Sequence, residues 1–381
     1  MTEDKKWIWQ NKAYSVFEYD LSKLDTLMQS ISRKQGELAA LSRVISSENL
    51  QNSQINALED EIISSSAIEG EVLDRESVKS SIKEKLGIEV SGKYTHRSKE
   101  SNFVDILIDA NRNHQDKLSL EKIFSWHHKM FENYNSKLWN IKIGNFREEG
   151  TMQIVSGAIG KEKVYYEAPP AKRMEKETEA YIEWFNNTPA SLLKASIAHL
   201  WFVIIHPFDD GNGRITRTIT DMVISSIENA NTSRLYSISK SINSDRKGYY
   251  NALEQTTGYI KKSNPMDITF WCEWFLGTLH KSLTEAVASI EHVVDKAKFW
   301  DKHRESGINE RQTKVLNAIL DKGIKNFEGG LSTKKYIKIA NTTSATASRD
   351  IKGLVLLGCI GQIAGTSGRN IRYEVLIPNL I

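Results

Sequence analysis

Nine residues, Ile197-Ala-His-Leu-Trp-Phe-Val-Ile-Ile205, leave almost no polar face. A helix that is apolar nearly all round is a buried helix, and this run is too short to span a bilayer, which takes about 20 residues. It stops at His206-Pro207. Proline has no N–H and clashes with the preceding turn, so the helix is predicted to end near His206. The next ten residues, Phe208-Asp-Asp-Gly-Asn-Gly-Arg-Ile-Thr-Arg217, hold two carboxylates, two glycines, an asparagine and two arginines. A second helical pattern then runs over 215–227.

Residue types in that order point to phosphate chemistry. Gly211 and Gly213 let a ligand approach main-chain N–H groups closely. A helix starting around Gly213 aims its free N–H groups at the same space, and such a cradle favours an anion, phosphate above all. Arg214 and Arg217 lie three apart, so they share a helix face and can grip phosphate oxygens bidentately. Asp210 offers a hard oxygen suited to magnesium beside phosphates. His206 is placed to accept a proton from a hydroxyl attacking the phosphate. The order of parts fits phosphoryl or nucleotidyl transfer better than a hydrolase triad, and no Gly-Lys-Ser/Thr of a Walker loop is present. Taken singly, a histidine at a helix end, an Asp-Gly-Asn-Gly turn and two arginines on a helix are ordinary. Their conjunction in twelve residues is not.

At 381 residues the chain has room for two or three domains. With 40% hydrophobic and 26% charged residues it reads as an ordinary globular protein able to bury sizeable cores. The start, Met1-Thr-Glu-Asp-Lys-Lys, lacks the apolar stretch of a signal peptide, and no run suits a membrane span. Two cysteines, Cys272 and Cys359, make neither a disulfide framework nor a metal site, which points to the cytoplasm. The net charge of +3 is unevenly spread: residues 309–381 hold 11 Lys/Arg against 5 Asp/Glu, leaving 40 against 43 before them. The C-terminal part is thus a basic module on a slightly acidic body. Repeats and low-complexity segments are absent.

Residues 7–20 are aromatic and irregular, a short strand or an extended arm packed on a neighbour. Leu24, Leu27, Met28 and Ile31 begin helical spacing that carries to about 58, with a further helix over 53–66. It ends in Ser65-Ser-Ala-Ile-Glu-Gly70, with Gly70 as a left-handed cap. Residues 71–96 are polar with weak helical periodicity. Helices are predicted around 106–110 and over 120–134, 172–185, 192–205, 237–255 and 267–300. Residues 144–157 break the pattern with β-prone residues around glycines and read as a hairpin. Residues 296–307 are charged and suit a helical linker. Beyond 309 come helices over 313–321, 333–340 and 344–357, then β-prone flanks about Gly365 and Gly368, the order of a winged helix-turn-helix.

The stretch from His206 to Arg217 resembles the signature of the Fic (filamentation induced by cyclic AMP) family, HxFx(D/E)GNGRxxR, with every fixed position present. Residues 65–70 resemble the family's inhibitory motif, (S/T)xxxE(G/N), placed before the core as in the self-inhibited class. The 144–157 hairpin resembles the flap that docks a target segment, and the aromatic N-terminus and winged end resemble bacterial members with the same layout. The resemblance implies a mainly α protein. An N-terminal helical region over 1–96 carries the inhibitory motif. A helical Fic-like core with a β-hairpin flap spans 97–290, a linker 291–308, and a winged helix-turn-helix 309–381.

It also implies transfer of AMP from ATP to a Ser, Thr or Tyr hydroxyl of a protein, diphosphate leaving, with ATP as co-substrate and Mg2+ as cofactor. Carried over by position, His206 is the base and Asp210 the magnesium ligand. The N–H groups of Gly211, Asn212 and Gly213 hold the phosphates, Arg214 grips them, and Arg217 reaches the γ-phosphate. Ile215 and Thr216 on the same turn count among the nucleotide-binding residues, Val155 supplies a flap backbone contact, and Tyr249 and Tyr250 fall where the family places aromatic contacts to adenine. Plain helix packing is an equal reading of the two tyrosines. Glu69, with Ser65 and Gly70, is the expected brake, pairing with Arg217 and occupying the γ-phosphate site. The branch that transfers phosphoryl groups carries Lys where this chain has Gly213, which favours AMP, although phosphocholine and UMP transfer use nearly the same signature. Expected partners are a hydroxyl-bearing protein substrate, the chain itself included, a second copy in a homodimer, and no membrane. The other reading is a DNA-binding regulator whose core transfers another phosphate-containing group. In it, residues 344–353 form the recognition helix with Ser348, Arg349 and Lys352, the wing holds Arg369 and Arg372, and Lys334, Lys335 and Lys338 lie just before. A protein-docking or dimerisation module is the competing use of such a wing.

Overall fold

A computed structural model describes residues 6–88, 98–132, 141–148, 150–156, 163–228, 235–258, 264–323 and 326–377. The chain divides into two compact units, one of Met1–Ala39 with Gln51–Ala286 and one of Ala40–Leu50 with Val287–Ile381. The fold is mainly helical, and the strands among the described residues form two two-stranded hairpins.

The first unit opens on the aromatic segment, which makes a single 3-10 turn, Ile8–Gln10. Trp7 bridges Gly258 and meets Tyr166 edge-on, and Phe17 packs on Trp201, so this arm is laid against the rest of its unit. Helix α1 runs Leu21–Ser42 and α2 Ser47–Ile68. The expected continuous helix to about 58 is therefore interrupted at 43–46. The cause is local: the Ser46 hydroxyl accepts from Asn49 N (3.2 Å), starting a new helix where the old one would have continued. Helix α3, Arg75–Lys85, is capped by Asp74, which accepts from Ser77 N at 2.8 Å. Helices α4 (Ser98–Arg112) and α5 (Leu120–Phe131) follow, the second capped by Ser119.

The hairpin differs from expectation. Its strands are β1, Gln153–Ser156, and β2, Lys163–Glu167, paired antiparallel with an irregularity between Ile154 and Val155. Only the end of the 144–157 segment is strand, because Gly144 and Gly150 take positive φ and turn the chain first. Residues 149 and 157 lie outside the described residues. Next come α6 (Met174–Asn187), α7 (Leu192–Ile205) and α8 (Asn212–Ile227). Every residue of α7 from Lys194 to Ile205 is buried, as its apolar sequence requires. The helix expected over 237–255 is two, α9 (Ile238–Ser244) and α10 (Arg246–Thr257). Asp245 leaves helical geometry and caps the second by accepting from Gly248 N (3.0 Å). Helix α11 spans Thr269–Lys302, so most of the segment expected as a linker is helix.

In the second unit, α12 (Glu310–Lys322) begins with an Asn309/Gln312 capping box, and α13 (Thr333–Ala340) and α14 (Ser344–Leu356) follow. A hairpin of β3 (Ile360–Gln362) and β4 (Tyr373–Val375) closes the order. Its core gathers Phe299, Val315, Leu316, Tyr336, Ile351, Leu354 and Ile360. Asp350, buried, accepts from Arg311 Nε (3.0 Å) and from the Tyr336 hydroxyl (3.0 Å), tying the three helices together.

Candidate active site

The site is built on the turn between α7 and α8. His206 caps α7 in the left-handed region, at φ 51°, so the backbone reverses as it meets Pro207. The Asn212 side chain closes the loop on itself: its Oδ1 accepts from Phe208 N (2.9 Å) and its Nδ2 donates to Phe208 O (2.8 Å). Gly211 has φ 83°, and a Cβ there would meet Phe131 at 2.9 Å, so both its conformation and its surroundings demand glycine.

Two residues that sequence reasoning did not assign to the site hold this turn. Arg147 is buried, donates from Nε to His206 O (2.8 Å) and from Nη2 to Pro169 O, and its own N donates to Pro207 O (2.9 Å). His127 is buried and stacked on Phe208, with ring centroids 4.0 Å apart. It accepts from Gly144 N at Nδ1 (2.9 Å) and donates from Nε2 to Asp210 O (3.1 Å), so the partners settle its tautomer. The sequence shows His127 only as one position on a helix face and Arg147 only as part of a hairpin; no local signal ties either to a loop some 60 to 80 residues away.

His206 can serve as a base. Its Nδ1 donates to Val203 O (3.2 Å), and since a carbonyl only accepts, the proton sits on Nδ1 and Nε2 is left as an acceptor. Burial lowers its pKa to about 4, outweighing the opposing pull of the Val203 carbonyl and of Glu69. The ring is therefore neutral around pH 7.

His206 lines a cavity of about 170 Å³ together with Asp209, Asp210, Gly211, Asn212 and Gly213, the start of α8. Tyr249, Tyr250 and Leu253 of α10 form another wall, and Met152, Gln153 and Ile154 a third. Val155 is not among these residues; it is 43% exposed, one residue past the lining. Ile215 is buried in the core and the Thr216 hydroxyl donates to Asn212 O (2.7 Å), so neither side chain lines the cavity. Tyr250 stacks on Tyr165 of β2, with centroids 5.2 Å apart. The Tyr249 hydroxyl lies 3.3 Å from His199 Nε2, and His199 Nδ1 lies 3.0 Å from the Thr220 hydroxyl, which donates to Thr216 O (2.8 Å). That chain ties the tyrosine wall to α8. Burial lowers the His199 pKa to about 3.

Both arginines of the loop are held by acids. Arg217 is 1% exposed; its Nε donates to the Ser65 hydroxyl (2.8 Å) and its Nη2 to Ser65 O (2.9 Å) and Glu69 Oε1 (2.7 Å). The Glu69 carboxylate lies over Gly213, where a Cβ would collide with it. Burial pushes the Glu69 carboxyl up, but the charge and hydrogen bond of Arg217 outweigh this and hold it below its ordinary value. Gly70 takes φ 80°, the left-handed cap expected of it. Arg214 donates from Nη1 to Glu71 Oε2 (2.8 Å), a residue the sequence did not single out, and lies 3.3 Å from Asp210 Oδ2. Asp210 also accepts from Gly211 N (2.5 Å), and its side chain is half-exposed. No group of three or more potential metal-ligating side chains occurs among the described residues.

Residues 117–224, which take in α5, the hairpin and the whole turn, match the Fic/DOC family. The chain carries a Fic/DOC domain. Residues 7–88 match a second family, a domain of unknown function (DUF4172); Ser65, Glu69, Gly70 and Glu71 thus lie outside the Fic/DOC match. Among solved structures, the chain is similar to a Fic family protein from Desulfovibrio desulfuricans G20 (20% identity, 92% of this chain and 97% of that one, TM-score 0.49). It is similar to a Fic domain containing signaling protein from Bacteroides thetaiotaomicron VPI-5482 (19% identity, 69% and 97%, TM-score 0.49). It is also similar to Fic-1, residues 134–508, from C. elegans (19% identity, 71% and 74%, TM-score 0.45).

Proposed function

We propose that this protein transfers AMP from ATP to a Ser, Thr or Tyr hydroxyl of a protein, and that Glu69 holds the reaction off. Fic domains commonly transfer AMP onto proteins. One observation carries the reading here: a neutral His206 with Nε2 left to accept a proton lines the same cavity as Asn212 and Gly213, the first two residues of α8, where helix N–H groups lack intrahelical partners, while Gly211 N is taken by Asp210. The target hydroxyl oxygen attacks the α-phosphorus while its proton passes to His206 Nε2; the bond from the α-phosphorus to the bridging oxygen breaks, and diphosphate leaves. N–H groups at the start of α8 stabilise the charge that develops on the α-phosphate. The tyrosine wall of α10 borders the space for the base, and the side of β1 away from β2, which no strand among the described residues pairs, suits an extended target segment added as a strand. Asp210 is the more exposed of the loop's two carboxylates, a donor that suits magnesium completed by phosphates and water rather than an all-protein cage. When bound, the ion neutralises phosphate charge.

Gly213 supports AMP over phosphoryl transfer, and Glu69 in the space above it supports the brake. A carboxylate there repels the triphosphate and occupies Arg217. The test is intact-mass spectrometry of Glu69→Gly incubated with ATP and magnesium. An adduct of AMP mass is expected, lost in Glu69→Gly/His206→Ala while ATP still binds. An adduct of phosphate mass, or transfer that survives loss of His206, refutes the reading.

A second reading concerns the C-terminal unit. The three-helix-plus-hairpin order supports a winged helix, and Ser348, Arg349 and Lys352 are all exposed on α14, with Lys334 and Lys338 exposed on α13. Asp350 and Arg311 are paired and serve packing instead. The side chain of Arg369 lies outside the described residues. Binding of the full chain to random duplex DNA should weaken with salt and in Arg349→Glu/Lys352→Glu; no shift at low salt leaves this unit a protein-docking module.

A further inference from the structure

The end of α2 presents two carboxylates, not one. Gly70 N donates to Ala67 O (3.0 Å) and Glu71 N donates to Ser66 O (2.9 Å), while Gly70 takes φ 80°. These two bonds, from the residues one and two past the last capping position, are the Schellman closure of a helix C-terminus. The closure fixes Glu69 as the capping residue and Glu71 two positions on, with glycine required between them. The turn therefore delivers both acids to α8, where Arg214 and Arg217 stand three residues apart on neighbouring positions of one face. Glu69 takes Arg217 at 2.7 Å and Glu71 takes Arg214 at 2.8 Å. The second pair is the better buried at its acid: Glu71 is 15% exposed and Arg214 6%, against 31% for Glu69. Neither arginine lines the cavity.

Resting on the AMP-transfer reading, we infer that Glu71 is the second half of a two-carboxylate lock, withholding Arg214 from the nucleotide's phosphates as Glu69 withholds Arg217. Removal of Glu69 alone empties the space over Gly213 and frees Arg217. Arg214 stays neutralised between Glu71 and Asp210, and a polyphosphate must still compete for it. The two acids reach the site through one turn, so a movement of the α2 terminus releases both arginines together.

The lock is tested on the full chain by calorimetric ATP binding with magnesium, in a His206→Ala background so that no turnover intervenes. Glu69→Gly/Glu71→Gln is expected to bind ATP about three- to tenfold more tightly than Glu69→Gly alone, a shift of the size one released ion pair supplies. ADP should show a gain and adenosine none, because Arg214 meets phosphate and not the base. A purely structural role for Glu71 would not sort ligands by phosphate number. With His206 restored, the double variant should also form AMP adduct faster than Glu69→Gly. Equal or weaker ATP binding by the double variant, with Glu71→Ala agreeing and thermal unfolding intact, overturns the lock and makes Glu71 a residue that orients Arg214. No ATP binding by any of these variants overturns the AMP-transfer reading itself.

Discussion

Glu69→Gly should lower the stability of the protein and make it responsive to nucleotide. Arg217 is 1% exposed, and a guanidinium is a cation. In the variant it keeps the Ser65 hydroxyl and carbonyl but loses its carboxylate. Stranding a charge in a fully buried pair costs about 3–5 kcal/mol. The Glu69 carboxylate is 31% exposed and borders the cavity, so water reaches the vacated place, and the figure is discounted to about 1–3 kcal/mol. For a unit of this size that amounts to a fall in melting temperature of at least about 2 °C. The effect has a pH signature. The folded-state carboxyl of Glu69 lies below its ordinary value of 4.5, so the pair's contribution is complete above 4.5 and is lost as pH falls through the folded-state value. Wild type and variant should differ by a constant amount from pH 6 to 8 and converge in acid. Adding ATP and magnesium at about 100 times the dissociation constant should stabilise the variant by about 2.7 kcal/mol, with a far smaller shift in wild type. Differential scanning calorimetry with and without nucleotide reads both. A variant that melts like wild type without nucleotide, or equal nucleotide shifts in the two, refutes the argument that Glu69 sits in the phosphate site.

Arg147→Ala removes donors from His206 O and Pro169 O and should reduce AMP transfer by Glu69→Gly at least about tenfold, because a buried network that loses its donor no longer fixes the base; a transfer rate within twofold of the parent would remove Arg147 from the argument. His127 and His199 are buried and neutral, with pKa values lowered by burial to about 4 and about 3, whereas the unfolded chain protonates near 6.5. His206 is lowered to about 4 in the same way, so with three such rings stability should be flat well above pH 6.5 and fall by up to roughly 4 kcal/mol per pH unit well below it, measured by urea unfolding at pH 7, 6 and 5.5; a flat profile means that the rings take up protons alike in the folded and unfolded chain. Asp350→Ala leaves Arg311 and the Tyr336 hydroxyl without their acceptor and should destabilise the second unit by about 2–4 kcal/mol, seen as earlier hydrogen exchange in 310–356; unchanged exchange there would show the three-helix tie to be dispensable.

Local chemistry in the chain determined a good deal. The apolar run before Pro207 made α7 and its end point readable, and the glycines and arginines after it made the cradle readable, because each of those residues acts within one turn of itself. The caps at Ser46 and Asp245 were also written locally, but as single hydroxyl or carboxylate residues inside longer helical spacing they were outweighed by periodicity. The flap was displaced in register for the opposite reason: its strands pair 153 with 167, and what decides which β-prone residues pair is the partner strand. What only tertiary structure decided is the company the cradle keeps. Arg147 reaches back across 59 residues to the His206 carbonyl, His127 across 83 to that of Asp210, and Glu71 across 143 to Arg214. A carboxylate or an imidazole has the same local appearance whether it faces water or a buried guanidinium. Its pKa, its charge state and its role follow from burial and from partners brought together by packing, which no spacing along the chain encodes.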